Sequence, residues 1–246
     1  MGSRARRRWW YGCAATAYLT GLLLVSRLRV AAAPRVYRAV SVEVLLGGLR
    51  YIWRNKLILG AISLDLFAVL LGGAVALLPV YASEILKVGT RGLGVLRAAP
   101  GAGALLMSVL VAHRPLRKHA GTAMLWCVAG FGAFTIVFGL SRSVPVSLLA
   151  LVLVGACDMV SVIVRQTMVQ LETPDEMRGR VSAVNMLFVG ASNEVGQFES
   201  GITAQWFGTV PAVVLGGVGT LVIVALWARF FPALRRVGHA SAGTKM

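Results

Sequence analysis

The sequence predicts an all-α integral membrane protein, and three observations support this fold class. Of the 246 residues, 57% are hydrophobic and 14% are charged, and the mean hydropathy is +0.77. Soluble domains contain about 45–50% apolar and about 25% charged residues. The apolar residues also fall into runs of about 20, the length that an α-helix needs to cross a bilayer. A water-soluble domain is therefore excluded.

Six apolar runs are long enough to form membrane-spanning helices. They cover residues 57–80, 93–112, 120–140, 145–168, 181–206 and 210–230. We therefore expect a six-span membrane domain over 57–230 and a cytoplasmic tail over 231–246. A weaker apolar run covers 9–26. It lies within residues 1–40, which we predict to be a basic leader with one weak helix and a cytoplasmic linker.

Residues 41–56 have the pattern of an amphipathic helix. Apolar side chains recur there at helical spacing, namely Val42, Leu45, Leu46, Leu49, Ile52 and Trp53. Glu43, Arg50 and Arg54 lie off this face. Because the segment is too short to span a bilayer, we predict a helix on the membrane surface with Trp53 near the lipid headgroups.

The distribution of basic residues predicts the orientation in the membrane. The net charge of +16 comes from Lys and Arg residues that cluster in short loops, so we expect no nucleic-acid partner. Segment 27–56 carries seven of them, whereas the alternate loops carry only Lys87, Arg91, Arg97 and Arg142. Basic loops stay in the cytoplasm. We therefore place segment 27–56 and the C-terminus on the cytoplasmic side.

The N-terminus leaves three alternatives. Arginines at 4, 6, 7 and 8 precede the weak run. A secretory leader cleaved near Ala31–Ala33 is disfavoured, because it would carry the following basic segment across the membrane. The run can instead be the altered last helix of a missing upstream half, or an anchor that does not span the bilayer.

Charged residues inside two predicted spans need a partner or a water-filled cavity. Asp65 has no basic residue one turn away, so we expect a partner on another helix, such as Arg165, or a bound proton. Asp158, Ser161 and Arg165 share one face of the fourth span. We predict that they line a polar path. The alternative is a neutralising pair that only stabilises the bundle.

The fifth span carries a polar stripe. On a helical wheel, Asn185, Ser192, Glu199 and Thr203 fall on one face, whereas Glu194 points to the opposite side. We predict that Asn185, Ser192 and Glu199 belong to the substrate or proton path. The alternative is that the stripe joins helices through hydrogen bonds.

A charged loop precedes this span. Pro174 followed by Asp175 and Glu176 predicts a helix start with acids at its positive end. Arg178 and Arg180 then mark the cytoplasmic boundary. We predict that these four charged residues and Arg97, near the start of the second span, make gating or loop contacts.

The sequence has no pattern of a catalytic or metal site. No histidine lies in a predicted span, and neither a metal-binding motif, a nucleophile elbow nor a phosphate-binding loop is present. We predict no enzyme activity, no cofactor and no metal. An intramembrane aspartyl enzyme would require Asp65 and Asp158 to face each other.

Four segments have a recognisable pattern: GLRYIWRNKLILGAISLDLFAVLLGGAVALLPVYASEIL (48–86), LRAAPGAGALL (96–106), RQTMVQLETPDEMRGRVSAVN (165–185) and FPALRR (231–236). They resemble the major facilitator superfamily, in particular its bacterial branch of enterobactin exporter-like proteins. The resemblance covers roughly residues 41–238. It implies the C-terminal six-helix half of a twelve-helix fold, here with a weak additional N-terminal helix.

The resemblance implies a secondary active transporter, with proton-coupled efflux of a drug- or siderophore-like molecule. Asp65 and Glu199 are the predicted proton carriers. The expected surroundings are the lipid bilayer of the bacterial inner membrane, and the expected partners are a small-molecule substrate and either a second copy or a separate N-terminal half. The alternative is a truncated membrane remnant or scaffold that does not transport without such a half.

Overall fold

The computed structural model describes residues 12, 15, 16, 18–27, 42–114 and 120–236, and all described regular elements are helical. The chain divides into two units, residues 1–40 and 41–246. In the first unit, helix α1 covers 18–26, and its residues are exposed. The remainder of the predicted run 9–26 lies largely outside the described residues.

The second unit is a bundle of helices. Its elements are α2 (Val42–Arg54), α3 (Lys56–Leu71), α4 (Leu78–Val80), α5 (Gly89–His113), α6 (Ala120–Leu140), α7 (Val144–Glu172), α8 (Asp175–Phe207), α9 (Thr209–Phe230) and α10 (Pro232–Arg236). Helix α7 packs against α5 and α6, α6 packs against α9, and α3 packs against α8 and α9.

Within the described residues, five helical segments are long and apolar enough to cross a membrane. They are Lys56–Ile85, Gly89–His113, Ala120–Leu140, Val144–Glu172 and Thr209–Phe230. Helix α8 contains the fifth predicted span, 181–206. Its 33 residues extend over about 50 Å, but polar side chains lower its hydropathy. That α8 crosses the membrane therefore stays a prediction.

The first span is not the continuous helix that the sequence predicted over 57–80. Helix α3 ends at Leu71, and Gly72 and Gly73 separate it from a 3₁₀ turn at Ala74–Leu77. Helix α4 and a π-turn at Tyr81–Ile85 complete the span. Glycines weaken a helix interior, and Pro79 further on removes a backbone donor.

Close backbone crossings hold the bundle together. A Cβ atom on Gly103 of α5 would overlap the carbonyl oxygen of Val152 on α7. A Cβ atom on Gly155 of α7 would likewise overlap the carbonyl oxygen of Pro100. By contrast, a Cβ on Gly101 would meet open space. Small residues at such crossings are typical of membrane helices.

Helix α2 forms where the amphipathic pattern predicted it. Asn55 links it to α3, because its side-chain oxygen accepts hydrogen bonds from the backbone N–H groups of Leu57 and Ile58. Ile52 is buried, whereas Trp53 is 66% exposed. The predicted apolar face therefore divides: one edge packs into the bundle and the other is available for lipid.

The start of the predicted tail also folds onto the bundle. Helix α10 begins at Pro232, and Leu234 is fully buried. The backbone of Leu234 lies so close to Gly121 of α6 that a Cβ atom on the glycine would overlap its carbonyl oxygen. Residues beyond 236 lie outside the described part of the chain.

Candidate functional site

A buried charge network joins three helices. The Nη2 of Arg165 on α7 lies 3.1 Å from Oδ2 of Asp65 on α3. The Ser161 hydroxyl donates a hydrogen bond of 3.1 Å to Oδ1 of Asp65. The Nη1 of Arg165 donates to Oδ1 of Asn185 on α8, at 2.7 Å. The network therefore ties α3, α7 and α8 together.

The network is desolvated, so its members depend on one another. Asp65 is 4% exposed, Arg165 2% and Asn185 1%. Removing one partner from a buried pair leaves an uncompensated charge, which is strongly destabilising. The Nε atom of Arg165 is also buried, and it has no hydrogen-bond partner within the described residues. Such a pair can stabilise the bundle and can also respond to a proton.

The structure confirms the predicted pairing of Asp65 with Arg165 on another helix. Asp158 shares a helix face with Arg165, but no ion pair joins the two in the structure. In the described part of the chain, Asp158 has neither a hydrogen-bond nor an ion-pair partner. It is half-buried and lies at the wall of a cleft.

The polar stripe of α8 packs against α3. Asn185, Ser192 and Ser200 are buried, and the Ser192 hydroxyl donates to the Phe188 carbonyl oxygen. A Cβ atom on Gly196 would lie 2.8 Å from the carbonyl oxygen of Leu70. The structure therefore places this part of the stripe at a close contact with α3, and Asn185 is the stripe residue that forms a hydrogen bond to another helix, α7.

Glu199 lies beside this contact and has a hydrogen-bond partner in its own helix. Its side chain is half-buried, and its Oε1 accepts a hydrogen bond of 2.9 Å from the Thr203 hydroxyl. Glu194, one turn earlier, is exposed. Neither carboxylate lines the cleft described next.

An open cleft of about 660 Å³ lies where α3 is interrupted. Drug-sized ligands occupy pockets of about 300–1,000 Å³. The polar groups on its wall are one guanidinium, one carboxylate and two amides, from Arg97, Asp158, Asn193 and Gln197. The other lining residues are apolar, namely Val69, Gly72, Gly73, Val75, Ala76 and Phe131. Interrupted helices at membrane depth are tolerated where they line a cavity.

Sequence reasoning missed part of this wall. Asn193 and Gln197 are one turn apart on α8 and line the cleft. We had assigned the path to the neighbouring stripe that contains Asn185, Ser192 and Glu199. The spacing of the two amides was a usable signal. Gly72 and Gly73 were another, because a glycine pair inside an apolar run marks a break.

The predicted gating residues do not form one cluster. Asp175 and Arg178 make an exposed ion pair of 2.7 Å within the first turn of α8, which begins at the predicted position. Glu176 is exposed beside them. The Arg97 side chain is exposed and lines the cleft, and no hydrogen bond or ion pair joins it to this turn in the described part of the chain.

Arg180 instead contacts the surface helix. A Cβ atom on Gly48 of α2 would lie 2.7 Å from the backbone oxygen of Arg180. The Tyr51 hydroxyl of α2 also donates a hydrogen bond of 2.7 Å to the carbonyl oxygen of Glu172, at the end of α7. Helix α2 is thereby fixed to the α7–α8 connection.

The described residues contain no candidate metal centre. No group of three or more His, Cys, Asp or Glu side chains lies close enough there to hold a metal ion. The polar groups of the cleft are suited to binding through charge and hydrogen bonds.

A multi-pass helical bundle with a buried charge network beside an open cleft is an architecture typical of membrane transporters. A family model described as "Transmembrane secretion effector" (MFS_3) matches residues 4–242. The chain therefore belongs to this family, and the resemblance to the major facilitator superfamily is confirmed.

The relatives of this chain include proteins named "Enterobactin exporter EntS". Those of Escherichia coli O1:K1 / APEC and E. coli O81 (strain ED1a) are 25% and 26% identical to it over 228 and 230 residues. The protein of Shigella boydii serotype 18 is 26% identical. Each alignment covers 93% of this chain but 55% of the relative, so the chain spans about half the length of the relatives that it matches. No solved structure matches the chain significantly.

Proposed function

We propose that this chain forms part of a secondary active transporter that exports a drug- or siderophore-like small molecule in exchange for protons. The observation that carries the proposal is the buried Asp65–Arg165 pair beside a cleft that Asp158 lines. Ionisable groups within membrane helices are costly, so their presence indicates an ion or substrate path. The names of the relatives support export.

The proposed path divides between two regions. Small molecules bind in the cleft, where Arg97, Asp158, Asn193 and Gln197 provide polar contacts. The proton path uses Asp65, Asp158 and Glu199, and the contacts of Arg165 and Asn185 change when Asp65 gains or loses its charge. Ser192 is buried in the face of α8 that packs against α3. The cytoplasmic turn contains Asp175, Glu176, Arg178 and Arg180.

The protein lies in the bacterial inner membrane with its C-terminus in the cytoplasm.

Transport requires a second half. In the major facilitator superfamily, substrate sites lie near the bilayer midplane between two six-helix halves that rock against each other. Polar side chains on α5 and α8, namely Arg97, Asn193, Glu194 and Gln197, are exposed on this unit. Because lipid does not satisfy such groups, we propose that a second copy or a separate N-terminal half covers them.

A retention assay in cells tests the proposal. Bacteria that lack their own exporters are given the full chain and loaded with either enterobactin or ethidium. We expect them to retain less of at least one compound than cells with the empty vector, and a protonophore to abolish the difference. Equal retention of both compounds, with the protein present in the membrane, would refute export of these substrate classes.

Glu199→Gln tests the second predicted proton carrier. Glutamine retains an oxygen that accepts the Thr203 hydrogen bond but cannot carry the proton. We expect the variant to insert normally and to lose proton-coupled efflux, as judged by membrane content and by retention. Glu84→Gln is the control, because it removes an exposed carboxyl group that lies outside both the cleft and the surface assigned to the second half. Unchanged efflux in Glu199→Gln would remove Glu199 from the path.

A non-transporting remnant or scaffold is the second candidate. In this candidate the buried Asp65–Arg165 pair only holds α3 to α7, and no proton moves through it. The molecular mass of the protein extracted in mild detergent, measured by light scattering with detergent subtracted, separates the two. A dimer or a complex with a second half supports the transporter. A monomer that does not assemble even in its native membrane supports the remnant.

A further inference from the structure

A water-sized cavity lies between the buried pair and the open cleft. Its volume is about 10 Å³, which is enough for one water molecule. The polar residues on its wall are Asp65, Asp158 and Ser161, and the remaining lining is mostly apolar. A buried water needs two to four polar partners, and these side chains provide that number.

Asp158 is the polar residue common to both spaces. It lines the small cavity together with Asp65, and it lines the cleft together with Arg97. Asp65 lines only the small cavity. A proton that enters from the cleft therefore meets Asp158 before it can reach Asp65.

We propose that one water molecule in this cavity connects the carboxyl groups of Asp158 and Asp65 and passes a proton between them. The inference rests on the proposed function, because it specifies how the proton reaches the buried pair. The Asp158 O–H bond breaks and its proton joins the water, while the water gives one of its own protons to an Asp65 oxygen. The water is unchanged, Asp158 becomes a carboxylate and Asp65 becomes a neutral acid.

The charges around the two carboxyl groups determine how this proton transfer affects the contact between α3 and α7. Arg165 is the cation beside Asp65, and both it and Asp65 act electrostatically on Asp158. From α5, Arg97 faces Asp158 across the cleft, while α8 presents the neutral amides of Asn193 and Gln197. Cys157 and Val128 are also among the residues that line the small cavity. A proton on Asp65 cancels the charge that holds Arg165, so the tie between α3 and α7 weakens.

The relay can be tested without substrate by time-resolved infrared spectroscopy of the purified full chain in lipid. A rapid drop in pH should produce a carboxylic-acid carbonyl band that Asp65→Asn abolishes. We expect Asp158→Asn to slow the rise of this band by about tenfold or more. Glu194→Gln removes an exposed carboxyl group that lines neither space and should leave the rate unchanged.

A second variant isolates the water from the carboxyl group. Val128 is buried and lines the small cavity but not the cleft. Val128→Ile adds one methylene, which is enough to fill a space of this size, and should slow the rise of the Asp65 band although Asp158 is intact. If Val128→Ile keeps the wild-type rate, no water relay operates. An unchanged rate in Asp158→Asn, or a band that persists in Asp65→Asn, would likewise overturn the proposal.

Failure of the relay and failure of the transport proposal are distinguishable. The infrared rates require neither a substrate nor a second half. Slowed rates in both variants, together with cells that retain both compounds, would uphold the relay and contradict export of those compounds. Wild-type rates in both variants, together with active efflux, would uphold export and exclude the relay.

Discussion

The proposed function of the buried charge network depends on Asp65. This residue is buried in a predicted membrane helix, and its charge is compensated by Arg165 and by the Ser161 hydroxyl. Such a residue can be neutralised either by its partner or by a proton, and the two states differ in how firmly α3 is held to α7. A single protonation event can therefore affect the packing of the bundle.

The stability of the buried pair provides a prediction. Asp65→Ala leaves the Arg165 guanidinium buried without its counter-charge, so we expect a loss of about 3–5 kcal/mol. The matched variant Asp65→Leu with Arg165→Met removes both charges and should recover most of the loss. Thermal unfolding in detergent, followed by loss of the monodisperse peak, measures both. A single variant as stable as the wild type would show that the pair contributes little.

Residue chemistry was the most predictable part of the site. Asp65 has no basic neighbour on its own helix, which correctly indicated a partner on another helix. Arg165 was one of the few basic residues inside a predicted span. The position of Asp158 was less predictable. Sequence spacing places it on the same helix face as Arg165, but only the packing of α3 decides which carboxylate Arg165 binds.

At the scale of elements, the interruption of α3 positions the cleft. The span changes from α-helix to 3₁₀ turn at Gly72 and Gly73, and both glycines line the cleft. The sequence indicated a long apolar run, so the break was missed although the glycine pair was visible. Apolar runs report burial in lipid, but they do not report where backbone hydrogen bonding changes.

The polar stripe of α8 shows the limit of a helical wheel. The wheel grouped Asn185, Ser192, Glu199 and Thr203 on one face, and the first two are buried and the others half-buried. It gave no information about which neighbour that face meets. Because α3 packs there, the face that carries Asn193 and Gln197 lines the cleft instead.

The crossing of α5 and α7 gives an element-scale prediction. Gly103→Leu introduces a side chain where the α7 backbone leaves no space, so we expect a stability loss of about 1–3 kcal/mol. Gly101→Leu is the matched control on the same helix, because a Cβ atom there meets open space. Thermal unfolding in detergent compares them. Equal stability of the two variants would contradict the close crossing.

At the scale of the whole molecule, orientation follows from charge. The basic residues of segment 27–56 and of the C-terminal end predict that both lie in the cytoplasm. We expect a green fluorescent protein fused to the C-terminus to fluoresce in cells, and alkaline phosphatase at the same position to be inactive. An active phosphatase fusion would show that the C-terminus lies outside the cytoplasm and would contradict this orientation.

We propose that proton movement through this bundle is coupled to the export of a small molecule. Proton release from energised inverted membrane vesicles, followed with a pH-gradient dye, tests it most directly. Adding enterobactin or ethidium should release protons from vesicles that contain the wild-type chain, and Asp65→Asn and Asp158→Asn should abolish the release. No release from wild-type vesicles with either compound, or equal release from both variants, would contradict the account.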